Sequence, residues 1–341
     1  MPRTVLGMTL YNNAGHLREA TESLLGQTDS DFALLMLDDG SDAASETIAR
    51  QYEGRDRRVR YWRHAERLGM VPTWREVVEI ARREYPSAEY FAWVSDHDRW
   101  APDWLSRMRA ELDAHPEAVL AYPQTFRMDE AGKLLDKEPR IFETSGVTDA
   151  GDRWRLFCWH GFGSGDMVYG LVRMRALEAA GIFRPVLNPD RLLIAELTQQ
   201  GEIRQVAEPL WWRRQSDGAS VERQRRSLFA AAPPPRFNWP PSLQHAVLLR
   251  REGFSLSMIA TYVAASASRA TRKTETSKSI GRGVDNVHFA KKLVKKAFHH
   301  AVYYTLVGAR KLAGKSRRVS RKALYEILMF THRAGLRRPS R

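Results

Sequence analysis

With 341 residues, 43% of them hydrophobic and 10% aromatic, the chain can bury a core the size of one large domain or two smaller ones, which excludes disorder as its default state. One cysteine, Cys158, leaves no intramolecular disulfide to form, and no apolar run reaches the ~18 residues of a membrane-spanning helix. The net charge of +14 is concentrated: residues 241–341 hold 22 Lys/Arg against 4 Asp/Glu and residues 1–240 hold 32 against 36, so the tail, not the body, is expected to meet an anionic surface.

Met1–Leu10 has no apolar segment behind a basic start, so no signal peptide is expected, and the lone cysteine suits a cytoplasmic, reducing compartment. Thr4–Leu10 reads as a first strand, broken by Tyr11-Asn12-Asn13-Ala14-Gly15. Leu17, Ala20, Leu24 and Leu25 have helical spacing within His16–Leu25. Phe32–Leu37 is a second buried strand, and its Asp38-Asp39-Gly40-Ser41-Asp42 turn leads into a helix at Ala43–Tyr52, with Ser41 or Asp42 as cap. Val59–Trp62 is a third strand; Gly69 turns the chain into a helix at Pro72–Arg83. Tyr90–Val94 is the fourth strand, Asp103–Ala114 a helix and Val119–Tyr122 a fifth strand.

Strands alternating with helices predict an α/β fold with a mostly parallel sheet. The loops after the first, second and fourth strands should then open on one edge of that sheet, where ligands bind. Those loops carry Tyr11-Asn12, Asp38-Asp39 and Asp96-His97-Asp98. Two carboxylates one residue apart at the end of a buried strand need compensation, which a divalent cation carrying a diphosphate would supply. A solvated turn that caps the next helix is the alternative. No Gly-x-Gly-x-x-Gly follows the first strand and no Gly-x-x-x-x-Gly-Lys-Ser/Thr occurs, which argues against a dinucleotide-binding domain and a P-loop NTPase.

The ordered set TLYNNAGHLREATESLLGQT, LLMLDDGSDAASETIA, RLGMVPTW and FAWVSDHDRWAPDWL resembles family-2 glycosyltransferases of the GT-A fold, over roughly residues 3–220. That resemblance implies a GT-A-like twisted, mostly parallel sheet with helices on both faces. It implies transfer of a sugar, with inversion, from a nucleotide-diphosphate donor to a hydroxyl of a glycan or lipid-linked acceptor. Carried over residue by residue, Asp38 or Asp39 would contact the base, Asp96 the ribose or metal, and Asp98 the metal, Mg²⁺ or Mn²⁺. Leu10, Tyr11, Asn12, Gly69 and His97 fall on the same donor side. Relatives often carry Asn-x-Gly where this chain has Arg67-Leu68-Gly69, so Arg67 either touches the nucleotide or is a solvated charge.

In the second half, GFGSGDMVYGLVRMRALEAAGIF is glycine-rich and then helical, and the resemblance sets Gly165, Asp166 and Gly170 beside the diphosphate and acceptor. Asp190 precedes an expected helix at Leu192–Gln199: by pattern it is an N-terminal cap, and by resemblance the catalytic base, with Asp166 in reserve. Ile203–Trp212 is the closing strand. Relatives often place a histidine near it, whereas this chain has none between His160 and His245, so Arg213 and Arg214 could supply the positive charge.

The proline-rich stretch 231–241 marks a boundary between a 1–230 transferase domain and a basic helical region at 242–341. Helices are expected at Ser242–Arg251, Leu256–Ser268 and His288–Leu312. In the third, Lys291, Lys292, Lys295 and Lys296 share one face opposite Leu293, Val294, Phe298 and Val302. Such a helix either lies on an anionic membrane, making a peripheral protein of the inner face, or packs on the body; no nucleic-acid motif accompanies the charge. Two rivals to the transferase are a sugar-nucleotide nucleotidyltransferase and a non-catalytic GT-A-like protein whose tail binds membrane or nucleic acid. The first is disfavoured because Tyr11–Gly15 is not a glycine-rich, Arg-containing loop, the second by the retained aspartates.

Overall fold

The computed structural model describes residues 1–161, 164–215, 227–230 and 239–278. A first compact unit runs from Met1 to Ala265 and a second from Ser266 to Arg341. The expected helix at His288–Leu312, its four lysines and residues 231–238 of the proline-rich stretch lie outside the described residues.

Four parallel strands, β1 (Thr4–Leu10), β2 (Phe32–Asp38), β3 (Val59–Arg63) and β4 (Tyr90–Val94), are joined by helices α1 (Ala14–Leu25), α2 (Ala43–Arg55) and α3 (Met70–Glu84), as the alternation predicts. Every residue of β2 and β4 is buried, because these strands pack on both faces. Alternate residues enter two separate cores. Leu35, Leu37, Phe91 and Trp93 join Val71, Trp74, Val77 and Val78 of α3. Leu34, Met36, Tyr90, Ala92 and Val94 join Leu17, Ala20 and Leu24 of α1 and Ile48 of α2. The period of two along the strands thus places helices on both faces of the sheet.

The next elements are β5 (Arg99–Trp100), α4 (Trp104–Ala114), β6 (Ala118–Met128) and β7 (Leu134–Leu135). They are followed by α5 (Ala150–His160), α6 (Ser164–Met167), β8 (Leu171–Arg173), α7 (Met174–Ala179), α8 (Pro189–Leu197) and β9 (Glu202–Arg214). The stretch after Gly161, expected to be helical beyond its glycines, contains β8, which sits in mid-sheet between β4 and β6 and runs antiparallel to both. Gly170 admits it: a Cβ there would stand 2.5 Å from the Ala121 carbonyl oxygen of β6.

The sheet order is β3-β2-β1-β4-β8-β6-β9-β5, with β7 on β6. β5 follows β4 almost directly in sequence yet pairs with β9 at the far end of that order, Arg99 opposite Trp212 and Trp100 opposite Trp211. The sheet therefore curls until the C-terminal end of β9 closes over the loop that joins β4 to β5. Parallel pairing of β6 with β9 is interrupted by register shifts, Pro123 pairing with Val206 but Gln124 with Pro209 and Thr125 with Trp211. Beyond β9, the helix Pro241–Arg251 and the start of the helix Leu256–Lys278 complete the first unit, where Leu249, Tyr262 and Ala265 join the core that holds Trp154, Leu187 and Leu192.

Candidate active site

The loops after β1, β2 and β4 meet at one edge through hydrogen bonds between them. Asp96 Oδ1 accepts from Asn13 Nδ2 (3.0 Å) and lies 2.7 Å from His97 Nδ1, while its Oδ2 accepts from the Tyr11 amide (3.3 Å). The Asn12 amide donates to Ser41 Oγ (3.1 Å), and Asn12 Oδ1 accepts from the Asp42 amide (2.7 Å). Asn12 takes φ 51°, the left-handed region that asparagine tolerates better than most residues. Asp42 caps α2 by accepting from the Ser45 amide, as expected.

The two adjacent aspartates after β2 have different partners. Asp38, fully buried, accepts from the Ser41 amide (2.7 Å), Tyr61 Oη (2.6 Å) and Arg63 Nη1 (3.0 Å). Burial, and next the bond to Asp38, raise the pKa of that tyrosine. Asp39 accepts from the amides of Leu68 (2.7 Å) and Gly69 (2.8 Å), and His64 Nδ1 lies 3.1 Å away. It thereby fixes the Arg67-Leu68-Gly69 turn. Gly69 has φ 96°, and a Cβ there would stand 2.6 Å from Phe229 Cα, so no side chain fits. Arg67 is not a freely solvated charge: its guanidinium lies 4.1 Å from the centroid of the Tyr11 ring, with Nε 3.8 Å from Asp39 Oδ2. Leu10 is buried among core residues.

Asp98 is 1% exposed, and β9 reaches it from across the curl: Oδ1 accepts from the Arg214 amide (2.7 Å), Oδ2 from the Trp211 indole N–H (3.1 Å). His97 spans the two carboxylates, its Nε2 lying 3.8 Å from Asp98 Oδ1. Desolvation lowers the pKa of this imidazole, but the bond to Asp96 and the charges of Asp98 and Asp96 outweigh it, so the net shift is upward. Among the described residues, no three or more His, Cys, Asp and Glu side chains converge to hold a metal by themselves.

Opposite lies a mixed-charge cluster. Asp166 accepts from Arg127 Nη2 (2.5 and 2.6 Å) and from Arg213 Nη1 (2.8 Å). Arg213 also donates to the Gly165 carbonyl (2.8 Å), and its guanidinium lies 5.6 Å from the ring centroids of both Tyr169 and Trp211. A Cβ on Gly165 would stand 3.4 Å from Arg213 Nη1 and 3.6 Å from Asp190 Oδ2, so cation and carboxylate converge on the bare backbone of that glycine. Burial raises the pKa of the Tyr169 phenol; Arg213 opposes this, and the charges of Asp98, Asp96 and Asp190 raise it further. Arg214 faces elsewhere, donating to the carbonyls of His97 (2.9 Å), Asp129 (3.2 Å) and Glu130 (2.7 Å) and to Glu19 (2.6 Å).

Asp190 is not an N-terminal cap. α8 begins at Pro189, which suits a first-turn position because it has no N–H to satisfy, and Asn188 (φ 51°, ψ 55°) occupies the cap. Asp190 is thus an acidic residue in the first turn, where the helix dipole favours a negative charge.

Four participants carry no sequence signal of their own: Asn13, Arg127, Tyr169 and Trp211. Asn13 adjoins the Tyr11-Asn12 pair, and Arg127 is the register partner of Arg213, a relation visible only once β6 and β9 are paired.

Residues 6–165 match the family model described as glycosyl transferase family 2. EpsH of Bacillus subtilis is 28% identical over 138 residues, 40% of this chain and 38% of EpsH. The uncharacterized glycosyltransferase MJ1057 of Methanocaldococcus jannaschii is 26% identical over 136 residues, 39% of this chain and 45% of its own. The match thus spans less than half the length of these curated relatives. A crystal structure of S. aureus TarS in complex with UDP-GlcNAc superposes with a TM-score of 0.58 at 13% identity, covering 79% of this chain and 73% of that one.

Proposed function

We propose, from the match of residues 6–165 to the glycosyl transferase family 2 model and the GT-A-like fold, that this protein moves a sugar from a nucleotide-diphosphate donor to a hydroxyl of a glycan or lipid-linked acceptor, with inversion at the anomeric carbon. The observation that carries the reading is the approach of Asp190 Oδ2 and Arg213 Nη1 to Gly165, at the strand end that also brings the Trp211 indole and the Arg214 amide to Asp98. The nucleotide sugar in the TarS structure supports the donor class.

In the proposed reaction Asp190 takes the proton of the acceptor hydroxyl as general base. That oxygen bonds to the anomeric carbon from the face opposite the diphosphate, the bond from that carbon to the diphosphate oxygen breaks, and the nucleoside diphosphate leaves with the electron pair. Arg213 donates to the phosphate oxygens as charge builds on them. Asp166 and Arg127 hold that guanidinium in place. The hard carboxylate oxygens of Asp96 and Asp98 suit Mg²⁺ or Mn²⁺ with phosphate and water as the remaining ligands, and each Asp98 oxygen keeps a lone pair beyond its N–H bond; the charge of such a cation, when bound, offsets that of the diphosphate.

The test is a panel of UDP-, GDP- and TDP-sugars, screened with and without Mg²⁺ or Mn²⁺ for release of nucleoside diphosphate. Asp190→Asn should cut turnover by roughly 10²-fold with little change in donor affinity. Near-normal turnover in that variant would transfer the base role to Asp166. Pyrophosphate release from sugar phosphate and nucleoside triphosphate would replace the reading with a nucleotidyltransferase.

A further inference from the structure

The loop that delivers Asp190 is gripped by residues from beyond the closing strand. The Leu187 amide donates to Gln244 Oε1 at 3.1 Å, and the Leu187 carbonyl is 2.6 Å from His245 Nε2. A carbonyl only accepts, so Nε2 carries the proton, and Nδ1, 2.7 Å from Tyr262 Oη, accepts from that hydroxyl. Gln244 is oriented in turn: its Nε2 donates to the Trp239 carbonyl at 2.7 Å. Both side chains are buried, Gln244 at 2% exposure and His245 at 1%. Every polar atom of this array has a defined direction, the condition under which a buried polar group specifies one geometry.

Between Leu187 and Asp190 lie only Asn188 and Pro189. Asn188 is held in the left-handed region, and the ring of Pro189 fixes the φ of that residue. Such a turn persists only where its surroundings over-determine it. The bonds to both polar groups of the Leu187 peptide do this on the N-terminal side. On the C-terminal side, the Arg191 guanidinium lies 5.5 Å from the ring centroid of Tyr262, the residue that orients His245.

We infer that Gln244 and His245 are positioning residues for Asp190, so that the helices Pro241–Arg251 and Leu256–Lys278, up to Ala265, belong to the catalytic apparatus. The inference rests on the reading of Asp190 as base. It changes what the C-terminal region is for: its first part sets the distance between the base and the acceptor hydroxyl, whatever surface the basic residues farther on contact.

The experiment uses the full chain and the nucleotide sugar from the panel that it cleaves fastest. His245→Leu removes the donor to Leu187, whereas His245→Gln restores an N–H at a similar reach. Expected are a fall in kcat of about 10- to 100-fold for His245→Leu, the scale of ~1 Å misplacement, an unchanged KM for the donor, and recovery to within about threefold in His245→Gln. Tyr262→Phe, which keeps the ring and loses only the hydroxyl that orients His245, should give a smaller fall of the same kind, and it decides the matter if His245→Leu does not fold. Combined with Asp190→Asn, His245→Leu should produce no further loss. A folded His245→Leu with normal kcat, or a loss shared equally by kcat and donor affinity, overturns the inference. So does a full additional loss in the double variant. If Asp190→Asn alone keeps normal turnover, the base assignment is what has failed, and the inference falls with it.

Discussion

The buried imidazole of His245 makes a prediction about stability that needs no substrate. Burial, the dominant cause, lowers its pKa to about 4, against 6.5 in the unfolded chain; the bond to the Leu187 carbonyl opposes this and the charge of Arg191 adds to it. Between those values the unfolded state binds a proton that the folded state refuses. The contribution of His245 is therefore fully present above pH ~6.5 and lost as pH falls towards 4. At 1.36 kcal/mol per pKa unit, a gap of about 2.5 units amounts to about 3 kcal/mol, on an order-of-magnitude scale. Glu196 works in the opposite sense: burial raises its pKa to about 8 despite Arg184, so its contribution is present below pH ~4.5 and lost as pH rises through 8. A single pH scan would mix the two, and a difference measurement separates them. Urea unfolding of the wild type and of His245→Gln, followed by tryptophan fluorescence, should be compared at pH 7.5, 6.5, 5.5 and 4.5. Trp154 is a suitable reporter, its ring centroid lying 5.7 Å from that of Tyr262. The stability difference should hold constant from pH 7.5 to 6.5 and then shift against the wild type by about 1 kcal/mol per unit, while Glu196 cancels. A difference that stays flat down to pH 4.5 would mean that the folded imidazole titrates normally, which is incompatible with its burial and with Nδ1 accepting from the Tyr262 hydroxyl.

Asp98→Asn should lose at least about tenfold of any metal-supported affinity for nucleoside diphosphate in titration calorimetry; an unchanged metal-dependent affinity removes Asp98 from the metal-binding proposal. Gly69→Ala should destabilise the chain by about 1–3 kcal/mol in thermal melts and weaken donor binding, because φ 96° and the Phe229 backbone leave a Cβ no room; wild-type values would show that the turn relaxes freely. Arg213→Ala should lower turnover by roughly 10²-fold, and Arg213→Lys should recover little, since the lysine nitrogen falls one bond short of the position from which Nη1 donates to both Gly165 and Asp166; full recovery by lysine would reduce the role of Arg213 to charge alone. In flotation, the full chain should rise with anionic vesicles, release with salt and ignore neutral ones, and replacing Lys291, Lys292, Lys295 and Lys296 by glutamate should abolish this; identical flotation of that variant excludes the lysine face as the contact.

The parallel half of the fold was legible because a strand buried on both faces must be apolar throughout. Thr4–Leu10 and Tyr90–Val94 are found with the expected bounds, and Phe32–Asp38 extends one residue past them. What escaped depends on partners remote in sequence. β8 has only three residues, too few to show a period, and exists because β4 and β6 flank it. Asp190 before an apolar run reads as a cap until Pro189 is seen to start the helix one residue earlier. The converging loops could be inferred from alternation, but not the assignment of tasks among them. Asp39 folds the Gly69 turn and Arg214 ties β9 to three carbonyls, and nothing in Asp-Asp or Arg-Arg distinguishes either residue from its neighbour.

The irregular pairing of β6 with β9 bears on that last pair. Side chains alternate along a strand, so the faces given to Arg213 and Arg214 are decided upstream, where Ala207, Glu208 and Leu210 of β9 have no partner on β6. The number of such surplus residues acts as a parity setting. With the present number, Arg213 meets Arg127 and Asp166 beside Gly165, and Arg214 turns towards Asp129, Glu130 and Glu19. Removing one residue from 207–210 would exchange the two guanidiniums without altering the composition of the site, leaving the cation on the wrong side of the sheet.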